Sequence, residues 1–158
     1  MPARVLFVCT GNICRSPAAH AVLEAALRTG GLAAVAVDSC GLGSWHVGEL
    51  ADPRARAEGA RRGLQLTHLA RQLAPQDFEG DVLIIALDRT HLQALRSKAP
   101  PGFPMDRIVL YRSFDPASPP GTDVDDPYYD GDSAFVAMFD TLLAGVPGLL
   151  RTLRSRSG

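Results

Sequence analysis

Lysine is almost missing from this chain: Lys98 is the only one, and arginine carries the rest of the positive charge. That removes a phosphate loop of the Gly-x-x-x-x-Gly-Lys-Ser/Thr type, and the glycine-bearing loop near the N-terminus is not Gly-x-Gly-x-x-Gly either. Cysteine is scarce and odd in number, three in all, which excludes a disulfide framework and suits a reducing compartment, here the cytoplasm. Cys9 and Cys14 have no second pair at ligand spacing, so no metal is expected. No apolar run approaches the roughly 20 residues of a membrane span. The start, Met1-Pro2-Ala3-Arg4, has no signal-peptide pattern. An excess of one charge is also lacking. The formal net charge is −1, which gives no general attraction to nucleic acid or anionic membrane. Without repeats or long linkers, 158 residues suit one domain, 1–158, with one core. No helix shows an excess apolar face, so a monomer is expected.

What is present alternates between strand and helix signals. Val5–Val8 reads as a buried strand, followed by a helix from Pro17 to about Arg28, with Ser16 as N-cap and Gly30-Gly31 as its end. Ala33–Val37 reads as a second strand. The turn Gly41-Leu42-Gly43-Ser44 then carries Trp45 outward. Asp52-Pro53 opens a helix ending near Gly63. Val82–Ala86 is a third strand, Thr90–Lys98 a helix, and Ile108–Tyr111 a fourth strand. A proline- and aspartate-rich loop runs from Phe114 to Asp130. Phe135, Met138, Phe139, Leu142, Leu143 and Val146 then repeat at helical spacing, and Pro147-Gly148 is expected to kink or split that helix. Continuous apolar strands between helices predict a small doubly wound α/β domain: a four-stranded parallel sheet with helices on both faces and a phosphate-binding loop after the first strand. Ligands in such folds bind beyond the carboxyl ends of the strands, where Cys9 lies.

Cys9-Thr10-Gly11-Asn12-Ile13-Cys14-Arg15-Ser16 places a cysteine and an arginine with five residues between them, between strand and helix. Such a loop aims backbone N–H groups at one point, and the helix N-terminus adds positive potential there. Arg15 supplies a bidentate fork for phosphate oxygens. A cysteine at that mouth is favoured as thiolate, the form that attacks. Gly11 permits the tight backbone, Asn12 tolerates left-handed geometry and braces the loop, and Ser16 offers a hydrogen bond to Cys9. A thiolate attacking phosphorus needs a proton donor for the leaving oxygen. The loop Asp123–Asp130 offers carboxylates, and Pro127 fixes the direction of Asp126. Tyr128 and Tyr129 offer an aromatic wall. Arg54, Arg56, Arg61 and Arg62 are expected to form a solvated helix face.

These motifs together resemble the low-molecular-weight protein tyrosine phosphatases. The resemblance rests on Val8 to Pro17 with Asp126-Pro127-Tyr128-Tyr129, and extends through Asp38-Ser39, Trp45-His46-Val47-Gly48, Asp52-Pro53-Arg54-Ala55, His68-Leu69-Ala70-Arg71-Gln72 and Asp88. It implies Cys9 as nucleophile, Arg15 as phosphate clamp and Asp126 as general acid and base. It implies a supporting network of Asn12, Ser16, Ser39 and His68, and pocket walls at Trp45, Tyr128 and Tyr129. It also implies an acid near the loop at Asp88, and a second cysteine, Cys14, that pairs with the nucleophile on oxidation. Cys40 is read as packing. The implied partners are phosphotyrosine-containing proteins and a tyrosine kinase, with inorganic phosphate as product and no cofactor. A protein-arginine phosphatase shares the loop type but has threonine where this chain has Ile13. An arsenate reductase needs further cysteines, and Leu87–Lys98 has none. A non-catalytic phosphate-binding or redox module would not need Asp126-Pro127.

Overall fold

The computed structural model describes residues 2–156. Its regular elements are β1 (Arg4–Cys9), α1 (Arg15–Thr29), β2 (Ala36–Gly41), α2 (Pro53–Arg61), β3 (Val82–Ala86), α3 (Arg89–Lys98), β4 (Ile108–Leu110) and α4 (Asp132–Ser155). The four strands form one parallel sheet in the order β2-β1-β3-β4. The apolar runs of β1 and β3 are buried on both faces because each face carries its own core. Val5 and Phe7 point into a core shared with α1, α2 and α4, while Leu6 and Val8 point into one shared with α3 and Phe78. The predicted sheet and its two covered faces are therefore present. Every βα connection leaves from the same edge, so the carboxyl ends of β1, β2 and β3 converge on one rim.

Two boundaries depart from the sequence reading for physical reasons. β2 occupies Ala36–Gly41 rather than Ala33–Val37. Its register on β1 pairs Val37 with Val5 and Ser39 with Phe7, which draws polar Asp38 and Ser39 into the strand beside the N-terminal loop. Apolarity alone placed the strand too early. The last helix is neither kinked apart nor split. α4 runs unbroken through Pro147. Pro147 is exposed, so the carbonyl that loses its helical partner, Leu143, lies on the solvent side where water can satisfy it. Gly148 faces inward, and a Cβ there would collide with the carbonyl oxygen of Phe114.

Because α4 is continuous, it is long and apolar enough by length and composition to cross a membrane, contrary to expectation. Its apolar stripe is nevertheless occupied. Phe135, Met138, Phe139, Leu142, Leu149 and Leu153 are buried against the sheet and α1, and burying each aromatic among them contributes roughly 2–3 kcal/mol. Tyr111 locks the same helix, donating its hydroxyl to the Leu142 carbonyl at 2.5 Å.

Candidate active site

Between the end of β1 at Cys9 and the start of α1 at Arg15, the chain curls once. Its carbonyls turn outward: Leu42 N–H donates to Cys9 O (2.9 Å), Gly43 N–H to Thr10 O (3.0 Å) and Asp52 N–H to Ile13 O (2.8 Å). The amides of Gly11, Ile13 and Cys14 meet no backbone acceptor among the described residues and are free for an anion. The left-handed residue of the curl is Asn12 (φ 58°); Gly11 does not use its conformational freedom in this way. Gly11 instead lets a neighbour approach, since a Cβ there would sit 3.1 Å from His46 Cδ2. At the end of β2, Gly41 lies against the loop. A Cβ there would be 2.9 Å from Thr10 O and 3.0 Å from Asn12 N, so only glycine allows backbone to meet backbone.

A buried set of side chains holds this shape. Asn12 Oδ1 accepts from His68 Nε2 (3.0 Å) and from the Arg71 N–H (3.1 Å), while Asn12 Nδ2 donates to Ser16 Oγ (2.7 Å) and Ser39 Oγ (3.1 Å). Ser39 in turn lies 3.1 Å from His20 Nδ1. Ser16 does not cap the helix as expected. The N-cap position is Cys14, without a side-chain cap bond, and Ser16 stands within the first turn. Its hydroxyl is spent on Cys9 Sγ at 2.9 Å, and the Asn12 N–H reaches the same sulfur at 3.3 Å. Sulfur is thus aimed into the curl by two contacts.

Arg15 is buried, with its side chain only 4% exposed, and is held from behind. Its Nη1 donates to Asp88 Oδ2 and to the Val124 carbonyl, both at 2.9 Å. Its Nη2 lies 3.7 Å from Asp126 Oδ2. Asp88 also caps α3, accepting the His91 N–H through Oδ1 at 2.9 Å. His91 is a partner that sequence reasoning missed. Its ring sits fully inside, with Nε2 2.9 Å from Thr10 Oγ1. Its Nδ1 is 3.2 Å from Asp88 Oδ1 but lacks hydrogen-bonding geometry to it. Burial pushes this imidazole down to about 4 against the opposing pull of Asp88, so it is neutral at physiological pH. The only local signal was its position three residues after Asp88.

The outer wall is open. Asp126 keeps 47% of its side chain exposed, and its Oδ1 accepts the Tyr128 N–H at 3.1 Å. Trp45 is 72% and Tyr129 90% exposed, with Tyr128 edge-on to Tyr129 at 4.9 Å. Arg54 ties this wall to α2. It pairs with both Asp52 oxygens at 3.0 Å, donates to the Tyr128 carbonyl at 3.0 Å, and lies over the Phe135 ring at 4.5 Å. The expected solvated arginine face is present at Arg56 and Arg61, while Arg54 and Arg62 are half-buried and tied to their neighbours. Arg56 bonds the Ala51 carbonyl yet is exposed, as is Arg61, paired with Glu58; Arg62 bonds Glu58 and Asp140. The walls enclose a cleft of about 350 Å³ lined by Cys9, Arg15, Asp126, Trp45, Tyr128, Tyr129 and the loop backbone. Cys14, also lining it, has its thiol pushed up by burial first and by nearby Asp52 second, so it stays protonated.

The chain as a whole is matched among known proteins. A family model described as low molecular weight phosphotyrosine protein phosphatase matches residues 4–157. The chain belongs to that family. A low molecular weight protein-tyrosine-phosphatase of Streptomyces coelicolor is 46% identical, covering 99% of this chain and 96% of the relative. A crystal structure of a protein tyrosine phosphatase from Entamoeba histolytica superposes with TM-score 0.91 at 33% identity, covering 98% and 99% of the two chains. A Drosophila arginine phosphatase superposes with TM-score 0.86 at 32% identity, covering 97% and 98%. The protein is accordingly a phosphoric monoester hydrolase of the low-molecular-weight phosphatase family. Its cleft, with amides and a buried guanidinium at the floor and aromatic rings at the rim, can take a phosphate carried on a flat group.

Proposed function

We propose that this phosphatase hydrolyses phosphotyrosine in proteins, with Cys9 as nucleophile, Arg15 as phosphate clamp and Asp126 as general acid and then base. One observation carries the reading: the Cys9 sulfur, the Arg15 guanidinium and the Asp126 carboxylate line the same small cleft, together with the aromatic residues Trp45, Tyr128 and Tyr129. In the first displacement the Cys9 thiolate attacks phosphorus. The S–P bond forms as the P–O bond to the aryl group breaks, and protonated Asp126 delivers its proton to the leaving phenolate. In the second, Asp126 takes a proton from water as the water attacks phosphorus. The S–P bond breaks, inorganic phosphate leaves, and the thiolate returns to its hydrogen bond with Ser16. Loop amides and Arg15 bear on the equatorial oxygens, where charge is greatest at the transition state. Asp88 and Val124 fix the guanidinium beforehand, so little reorganisation is left for the reaction step.

A second reading, phosphoarginine hydrolysis, is favoured by the likeness to the Drosophila arginine phosphatase. Ile13 at the loop and the adjoining rings Trp45, Tyr128 and Tyr129 support the aryl phosphate instead. The test is turnover of matched phosphotyrosine, phosphoarginine and phosphoserine peptides, with Cys9→Ser as control. The reading expects phosphotyrosine to lead and Cys9→Ser to be inactive. Preference for phosphoarginine, or normal turnover by Cys9→Ser, would contradict it. All three cysteines are free thiols, as the proposed cytoplasmic setting would keep them.

A further inference from the structure

Behind the phosphate loop, on the side away from the cleft, two imidazoles and a carboxylate from three separate elements converge. His20 comes from α1, Asp38 from β2 and His68 from the segment before Arg71. The rings of His20 and His68 lie 5.0 Å apart, centre to centre. One ring nitrogen from each and one Asp38 oxygen all fall within 4.8 Å of one another, and His68 Nδ1 is 3.8 Å from Asp38 Oδ1. We propose that His20, Asp38 and His68 form a binding site for a zinc-class divalent ion, with water completing the shell. Two imidazoles and one carboxylate are the donor set such an ion prefers, with a position left open.

The surroundings are already those of a metal site's outer shell. His68 gives its Nε2 hydrogen to Asn12 Oδ1, which leaves Nδ1 as the lone pair facing Asp38. Whichever nitrogen of His20 takes the ion, the other is held, by Ser39 Oγ at Nδ1 or by Glu24 Oε1 at Nε2, each at 3.1 Å. Oriented imidazoles of this kind are the normal second-layer arrangement around a ligated ion. Both rings are kept neutral and ready to ligate, chiefly by burial. For His68 the neighbouring His20 adds to this, while Asp38 and the Ser39 backbone oppose it. Charge does not forbid a cation. Arg71 binds the other Asp38 oxygen at 2.8 Å, but it is gripped by Asp77, and Glu24 adds a third carboxylate nearby. Arg4, 3.6 Å from Asp77, makes the second guanidinium of the group, so carboxylates still outnumber guanidinia.

The consequence reaches the cleft. An ion on His68 Nδ1 holds the tautomer that Asn12 requires, and Asn12 holds Ser16, which holds Cys9. The site is therefore a brace for the loop, distinct from the reacting groups. Because thiolates also bind zinc, the test uses the full chain carrying Cys9→Ser and Cys14→Ser. Zinc is titrated against a chromophoric chelator, with and without His20→Asn, which keeps a polar atom toward Ser39. One ion per chain is expected, bound at least about tenfold more weakly after His20→Asn. No binding at millimolar zinc, or equal affinity with His20→Asn, would overturn the proposal. Imidazole nitrogen NMR of the host without His20→Asn gives an independent reading even if that variant fails to fold. Zinc should shift His20 and His68 together; shifts confined to His46 or His91 would refute the site.

Discussion

The wall of the cleft behind Cys9 and the wall facing it are built differently. Behind Cys9, Asn12, Ser16 and Ser39 are buried almost completely, and each polar atom has a named partner. Opposite, Asp126, Tyr128 and Tyr129 stand in water, held by an aspartate turn and by Arg54. Burial sets what each can do. In a low-dielectric wall a hydrogen bond is strong and an orphaned donor is costly, so the geometry is over-determined and suits fixed electrostatics. In an exposed wall a side chain can exchange protons with solvent and adjust to a substrate, which suits proton delivery and selectivity. Arg15 belongs to the first wall by burial and reaches the second through its 3.7 Å approach to Asp126.

The contrast can be broken most sharply at Asn12. Asn12→Ala removes four hydrogen bonds at once and leaves His68 Nε2 and the Arg71 N–H without their acceptor. We expect kcat to fall roughly 100-fold and stability to drop by about 2–3 kcal/mol. Steady-state kinetics and urea melts measure both, and an intact melt with intact kcat would show that the wall is not over-determined.

Acid should attack the same wall next. Burial lowers the imidazoles of His20, His68 and His91 below their ordinary 6.5, with His91 near 4. Below pH 6.5 the unfolded chain therefore binds more protons than the folded one, and stability rises with pH. What burial of these neutral rings contributes is intact above 6.5 and is lost as pH falls toward 4, by a few kcal/mol in total. Urea midpoints across that window should fall, and less so in His91→Gln; a flat profile would contradict the burial argument.

On the exposed wall the effects shrink. Arg54→Ala unties Tyr128 from α2, and kcat/KM for an aryl phosphate should fall about tenfold, because a misplaced positioning group loses orientation. If kcat/KM is unchanged while the Asp126 loop stays ordered by NMR, the tie is dispensable. Tyr129→Ala should be mildest. With 90% of Tyr129 exposed, loss of the ring should raise KM a few-fold and leave kcat and the melting temperature alone. A large fall in kcat would move Tyr129 into the reacting machinery.

The same division explains what could be read without coordinates. The sheet and the Cys9–Arg15 loop were legible because their signals are local: apolar runs, a proline, a spacing. Asp126 was singled out among the loop's carboxylates by the family resemblance of Asp126-Pro127-Tyr128-Tyr129 rather than by local physics, and the cleft does include it. The buried wall's deeper partners were not. His20, His91 and Arg71 reach the loop across long stretches of chain, and a lone histidine on a helix carries no mark of its target. Ser16 was read both as a cap and as a partner of Cys9, and only the second holds, because the two roles demand the same residue at nearly the same place. β2 was placed too early because Asp38 and Ser39 serve the site at the expense of strand-like patterning. Pro147 misled because its effect depends on which face of the helix it occupies, and that is set by packing.

The central claim is that the Cys9 sulfur becomes bonded to phosphorus while Asp126 serves the leaving oxygen. Rapid-quench mass spectrometry of Asp126→Ala with an activated aryl phosphate, whose leaving group needs no proton, tests it most directly. We predict a phosphoryl group on the peptide containing Cys9 that is absent from Asp126→Ala/Cys9→Ser. An unlabelled Cys9 peptide during active turnover, or a label that persists when Cys9 is replaced by serine and maps elsewhere, would contradict the account.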